Sequence, residues 1–139
     1  MKYFLNIVFF SLIALVSGCE TTNTEREASD SINAKSGQEI LLRAFYNVNP
    51  DCSLNGVPKV IVASAPAHGV VTTSTVSDFP HYANSDPRHK CNARKVPKQA
   101  AFYTPESGFV GVDHIKLRAV GNDGPNDLQF VTFKVNVTK

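Results

Sequence analysis

The stretch Phe102-Tyr-Thr-Pro-Glu-Ser-Gly-Phe-Val-Gly-Val-Asp-His-Ile-Lys-Leu117 constrains the fold more than any other part of the chain. It reads as strand, tight turn, apolar plug, second turn, strand. Ala101 and Tyr103 alternate with Ala100 and Phe102, as in a short strand. Pro105 fixes its φ at about −65° and brings no N–H to a ladder, so the strand ends there. Gly108 and Gly111 allow the positive φ values of tight turns. Phe109 lies between them and is expected to fold back as a plug over the open end of a core. Asp113 opens the next strand, a usual place for a carboxylate to accept turn amides. Beyond it Ile115, Leu117 and Ala119 face one way and His114, Lys116 and Arg118 the other. That alternation predicts a half-buried strand with its charges in water.

The rest of the chain supplies partners for these strands. A first strand is expected near Ser31–Lys35, with Ser36-Gly37 as a turn. Next, Ile40, Leu42, Ala44 and Tyr46 alternate with Glu39, Leu41, Arg43 and Phe45. The second set is mixed, so this strand's outer face should be partly covered. Asn47–Gly56 is a polar loop containing Cys52. Lys59–Ala63 is a short apolar run that suits a buried strand. Ala65-Pro-Ala-His-Gly69 turns into Val70–Val76, rich in Val and Thr. Residues 77–99, with Pro80, Pro87 and Pro97, look like an insertion. Gly121–Asn126 reads as a hairpin connection, and Val131, Phe133, Val135 and Val137 share one face of the last strand. No helix is supported beyond the amino-terminal segment.

Tyr103-Thr104-Pro105, Gly108-Phe109-Val110-Gly111 and Asp113 resemble the cadherin-like, immunoglobulin-like repeats of bacterial envelope proteins. Pro66-Ala67-His68-Gly69-Val70 resembles the family's proline-x-x-glycine turn. Asp123-Gly124 before Val131–Val137 resembles its last hairpin. The resemblance covers roughly residues 57–138. It implies an all-β fold, an immunoglobulin-like or cadherin-like antiparallel β-sandwich of about seven strands. Three features depart from the family: one copy in place of a tandem array, the insertion at 77–99, and the cysteine pair. Cadherin-like domains often bind calcium at repeat junctions. Here Asp113, Asp123 and Asp127 lack a DxD-type loop or a neighbouring repeat to complete the oxygen shell.

The amino terminus reads as an address. Lys2 precedes an apolar run from Tyr3 to Val16, broken by Asn6 and Ser11 and too short for a comfortable bilayer span. Val16-Ser17-Gly18-Cys19 resembles the lipobox of bacterial lipoproteins, which implies cleavage before Cys19 and its lipidation. The alternative is an ordinary cleaved signal peptide with a chance cysteine. Burial of acyl chains contributes ~0.8 kcal/mol per CH₂, so several chains make a lasting anchor. The expected organisation is a lipoprotein signal peptide at 1–18, a flexible tether at 19–29 and the sandwich at 30–139. The implied location is the bacterial cell envelope. Glu20, in place of the aspartate often found on lipoproteins held at the inner membrane, favours the outer membrane.

Removal of residues 1–18 leaves 121 of 139 residues, enough for one domain with its own core. Lys2 leaves with that segment, so 14 basic and 12 acidic residues become 13 and 12. A net charge of +1 gives no global steering of anionic partners and argues against a nucleic-acid partner. Beyond Cys19, Cys52 and Cys91 remain. In an oxidising compartment they are expected to form a disulfide, the rivals being a redox pair or a metal site. No CxxC supports a redox pair, and only His81 and His89 stand near Cys91 as further ligands. Arg88, Lys90, Arg94, Lys95 and Lys98 fall close together with no acid among them. Such a cluster could bind anionic envelope glycan or lipid by charge-assisted hydrogen bonds, or simply be a solvated loop. No catalytic constellation stands out: there is no GxSxG and no HExxH. The leading expectation is therefore a non-enzymatic, membrane-anchored module that binds or assembles with an envelope protein or glycan and takes no cofactor. A metal-dependent envelope enzyme is the remaining rival.

Overall fold

The computed structural model describes residues 26–121 and 128–139. They form seven strands: β1 (Arg26–Lys35), β2 (Ile40–Phe45), β3 (Lys59–Ser64), β4 (Gly69–Asp78), β5 (Val96–Pro105), β6 (Gly111–Val120) and β7 (Leu128–Thr138). A single 3₁₀ turn, His89–Ala93, is the one helical element among these residues. The strands make a four-stranded sheet, in the order β1-β7-β6-β3, and a three-stranded sheet, β2-β5-β4. The expected all-β sandwich of about seven strands is the fold that forms. One pairing is not antiparallel: β1 runs parallel to β7, with Arg26 opposite Gln129 and Lys35 opposite Thr138.

β1 begins earlier than expected, so Arg26–Ser29 belong to a strand and not to a tether. Its sequence is mostly polar because it is an edge strand. Only Ala28, Ile32 and Ala34 pack against the core. The expected signal peptide at 1–18, Cys19, the remaining tether and Asp123-Gly124 all lie outside the described residues.

The inward faces of the two sheets meet as one core, apolar along most of β6 and β7, while β4 adds only Val71 to it. β7 contributes Val131, Phe133, Val135 and Val137; β6 contributes Ile115, Leu117 and Ala119. Their alternation matches the period of a pleated strand. β2 does not keep that period. A register irregularity between Leu41 and Arg43 inserts a bulge, which puts Leu42 and Phe45 into the core together and leaves Leu41 52 % exposed. That bulge explains why neither alternating set in this strand looked clean.

β5 is buried on both faces. Ala101 and Tyr103 point into the sandwich. Val96 and Lys98, of opposite parity, are also buried, but beneath the β4–β5 connection on the outer face of the three-stranded sheet. The supposed insertion at 77–99 is therefore shorter. Ser77 and Asp78 end β4, Val96 starts β5, and residues 79–95 form the connection.

The β1–β2, β3–β4 and β5–β6 turns gather at one end of the sandwich and are tied together there. Asp113 is only 2 % exposed. Its Oδ1 accepts the Ala67 amide at 2.8 Å and the His114 amide at 3.0 Å. Its Oδ2 accepts the His68 amide and the Tyr103 hydroxyl, both at 2.9 Å. A buried carboxylate is tolerated because these donors replace its water. The Tyr103 hydroxyl also lies 3.1 Å from the His68 carbonyl, which accepts the Glu106 amide at 2.9 Å. Ser36 joins the set: its Oγ accepts the Gly108 amide at 2.7 Å and donates to the Glu106 carbonyl at 3.2 Å. Phe109 is half-buried against the core and stacks on the His68 ring at 4.2 Å, so it does act as the plug.

Gly69 is required by this arrangement. A Cβ there would lie 2.4 Å from Tyr103 Cε2 and 2.5 Å from the Thr104 carbonyl oxygen. The second clash is with backbone and cannot be relieved by a rotamer change. Gly69→Ala is expected to cost about 3 kcal/mol and lower the melting temperature by on the order of 10 °C. Thermal unfolding followed by circular dichroism checks this, and an unchanged midpoint would show that the turn yields freely.

Candidate functional site

The other end of the sandwich is built differently. Here the β2–β3 connection (46–58) and the β4–β5 connection (79–95) converge beside the end of β6, the starts of β3 and β7, and the start of β1. Residues 46–58 fold as a small hairpin closed by a Val48–Leu54 bridge. Asn49 and Ser53 pair across its tip, with the Asn49 amide 2.9 Å from the Ser53 carbonyl. The tip residue Cys52 takes φ of 69°, a region that residues bearing a Cβ seldom adopt. Asp51 braces the tip by accepting the Ser53 hydroxyl at 2.6 Å and its amide at 2.9 Å. Those two bonds hold the Asp51 carboxyl below its ordinary value of 3.8, with a small pull from Lys90.

Cys52 is bonded to Cys91, with their Cα atoms 5.3 Å apart. The expected disulfide therefore forms, and Cys91 is not available as a metal ligand beside His81 and His89. Among the described residues no group of three or more His, Cys, Asp and Glu side chains converges. Asp113, raised above as a calcium candidate, has both oxygens engaged by protein donors.

Around the disulfide lies a second, smaller core of Val48, Cys91 and Val96, flanked by Tyr46, Cys52 and Tyr82. Tyr46 and Tyr82 meet edge-on at 5.4 Å. The Tyr46 hydroxyl accepts the His81 amide at 3.0 Å. Asn92 pairs with the Tyr82 backbone in both directions, its Oδ1 accepting at 3.0 Å and its Nδ2 donating at 2.9 Å. Both long connections are thus packed, stapled and hydrogen-bonded, although neither holds a strand of either sheet.

The five basic residues singled out in the sequence separate into two kinds. Lys98 is 3 % exposed. Its Nζ donates to the Phe79 carbonyl at 2.6 Å and to Asp78 Oδ2 at 3.2 Å, and lies 4.6 Å from the Tyr46 ring centre. The Phe79 amide and then the Lys98 ammonium hold the Asp78 carboxyl below its ordinary value. Arg88 forms a two-pronged pair with Asp86, at 2.9 and 2.7 Å, while its guanidinium covers the Tyr82 ring at 4.3 Å. That pair holds Asp86 down to about 2. Both residues are structural. Lys90, Arg94 and Lys95 are exposed and form no salt bridge among the described residues. Lys95 stands over the exposed Phe79 ring at 5.6 Å. The clue in the sequence was Asp86, two residues before Arg88 and just outside the acid-free cluster.

A cleft of about 260 Å³ opens at this end beside Arg43, Tyr46, Pro58 and Arg88. Both arginines on its wall are already paired, Arg43 with Asp30 and Arg88 with Asp86. Exposed groups on the two long connections include Lys90, Arg94 and Lys95 and the apolar side chains of Leu54, Val57 and Phe79.

No family model matches the chain, and no curated protein matches it. Among solved structures, the solution structure of Amebosin is similar at 19 % identity and a TM-score of 0.40, covering 82 % of this chain and 98 % of that one. PbICP-C, in its complex with falcipain-2, is similar at 12 % identity and a TM-score of 0.37, covering 84 % of this chain and 93 % of that one. At these TM-scores neither likeness bears on function.

Proposed function

We propose that the chain is a non-enzymatic, lipid-anchored module of the bacterial cell envelope, an immunoglobulin-like sandwich that holds an anionic partner at its loop end. The observation that carries this reading is the division of labour between the two ends. Residues of the Tyr103–Asp113 motif are spent on tying turns together. The opposite end carries two long connections with their own core and disulfide, presenting Lys90, Arg94 and Lys95, none of them in a salt bridge among the described residues. An exposed cluster of cations held outside any salt bridge suits charge-assisted hydrogen bonds to phosphate, carboxylate or sulfate groups. The anchor rests on Val16-Ser17-Gly18-Cys19, and outer-membrane placement on Glu20.

Two measurements test the reading. A palmitate analogue is expected to label the full chain and not a Cys19→Ala variant; equal labelling of both removes the anchor. Retention on anionic envelope glycan or lipid is expected to weaken about fivefold for each of Lys90, Arg94 and Lys95 neutralised. Retention that ignores both salt and these substitutions would end the anionic-partner reading.

A further inference from the structure

We infer that the partner of the loop end is the anionic lipid surface that carries the anchor, so that the domain lies with its stapled loops against its own membrane. The inference rests on the lipid-anchored reading for its tether. Its second support, the exposed cluster of Lys90, Arg94 and Lys95 beside apolar tips, is independent of that reading.

The tether leaves from the loop end. β1 starts at Arg26 opposite Gln129, near the start of β7, because β1 and β7 are parallel. An antiparallel first strand would have released the chain at the other end. Cys19 precedes Arg26 by seven residues. Covalent geometry limits that length to ~25 Å at full extension. The ten residues of β1 span ~33 Å. With Cys19 in the lipid, the tether is too short for the turn end to reach the membrane. The loop end is the end that can.

A local cluster of cations and apolar tips suits the same face to a membrane surface. The connections 46–58 and 79–95 hold four basic and two acidic residues, a net of +2, while the third connection at this end, 121–127, holds Asp123 and Asp127, a net of −2. The turns at 36–39, 65–68 and 106–110 hold Glu39 and Glu106 and no basic residue, a net of −2. With Lys139 following β7 at the turn end, net charge hardly separates the two ends, and the positive charge of the loop end is local, in Lys90, Arg94 and Lys95. Lys90, Arg94 and Lys95 supply attraction to anionic headgroups. Leu54, at 52 % exposure, and Phe79, at 41 %, supply apolar tips that can enter the headgroup region. Exposed apolar residues also occur at the turn end, as at Val110, so apolar surface alone does not choose the face.

The chain contains no tryptophan, which allows a single-reporter experiment. Phe79→Trp puts the reporter at the loop end, and Val110→Trp puts it at the turn end. Each full, lipidated chain is reconstituted in vesicles of equal parts phosphatidylglycerol and phosphatidylcholine with brominated acyl chains. The Phe79→Trp emission is expected to be blue-shifted and quenched, and the Val110→Trp emission to be unchanged. The Phe79→Trp signal should disappear on pure phosphatidylcholine and in high salt. Neutralising Lys90, Arg94 and Lys95 together to Gln should lower the docked-to-undocked ratio by on the order of a hundredfold. Leu54→Trp serves as a second loop-end reporter should the Phe79 change disturb its contact with Lys95. Quenching of both ends alike, of neither, or of Val110→Trp alone overturns the inference. A loop-end response to soluble anionic glycan but not to vesicles overturns it as well. Vesicle flotation of the native and Cys19→Ala chains reads the anchor separately: an anchor that fails there leaves the quenching pattern as an independent measure of docking.

Discussion

Asp113→Ala is expected to lower the free energy of unfolding by about 3–5 kcal/mol, as expected when one partner of a buried, hydrogen-bonded charge network is removed. Four donors converge on this carboxylate, from Ala67, His68, Tyr103 and His114. Without it the Tyr103 hydroxyl, on a side chain with no exposed surface, keeps only the His68 carbonyl. Asp113→Asn should cost about half as much, because an amide keeps the shape but turns two donors toward donors. The acid dependence carries its own sign. Burial alone would push the Asp113 carboxyl up, but the Ala67 and His68 amides, the Tyr103 hydroxyl and the His114 amide outweigh it and hold it below 3.8. Its folded pKa is thus below its unfolded one. The stability it supplies is complete above about pH 4 and drains away as pH falls through the ordinary carboxylate range. Asp86, held down to about 2 by Arg88, also titrates in acid. The difference between native and Asp113→Asn chains therefore isolates the Asp113 contribution. Urea unfolding at a series of pH values checks both points. A native-minus-Asn difference that stays flat from pH 6 to pH 2 would show that the network does not hold the ionised form.

The second large effect should come from the disulfide. Cys52 and Cys91 are 39 residues apart in sequence, and closing a loop of that size contributes about 4 kcal/mol by the chain-entropy estimate. Replacing both cysteines with Ala is expected to lower the melting temperature by on the order of 15 °C. Neither cysteine belongs to the main core; Cys91 is buried with Val48 and Val96 in the small one. The loss should therefore begin locally. Amides of 46–58 and 79–95 should exchange with solvent much faster, while those of β5, β6 and β7 speed up only as far as the loss of global stability dictates. Uniform acceleration across the whole domain would show that the loop end and the sandwich unfold as a unit.

Much of the sandwich was readable because its signals are local. Val131 to Val137 and Ile115 to Ala119 alternate without interruption, and the glycines around Phe109 mark turns that form without distant help. Pairing of Cys52 with Cys91 followed from compartment and count. What was hidden depends on contacts between distant segments. Arg26–Ser29 look like a solvated linker, and become a strand only because β7 offers an edge to pair with. A bulge between Leu41 and Arg43 changes which residues of β2 face inward, and no local signal announces it. Lys98 resembles its basic neighbours in sequence. It is buried because β5 is covered on its outer face as well as its inner one. Separating Lys98 and Arg88 from Lys90, Arg94 and Lys95 needed the positions of Asp78, Asp86, Tyr46 and Tyr82.

The parallel match of β1 with β7 has a mechanical side. A pull on the chain upstream of Arg26 is directed along β1 and meets the whole ladder from Arg26–Gln129 to Lys35–Thr138. Resistance from the carboxyl-terminal end of β7 loads that ladder in shear, so its hydrogen bonds share the force instead of opening one after another like a zip. A domain pulled by its amino terminus would carry drag on its body through a ladder of ten residue pairs, as long as those of β4–β5 and β6–β7.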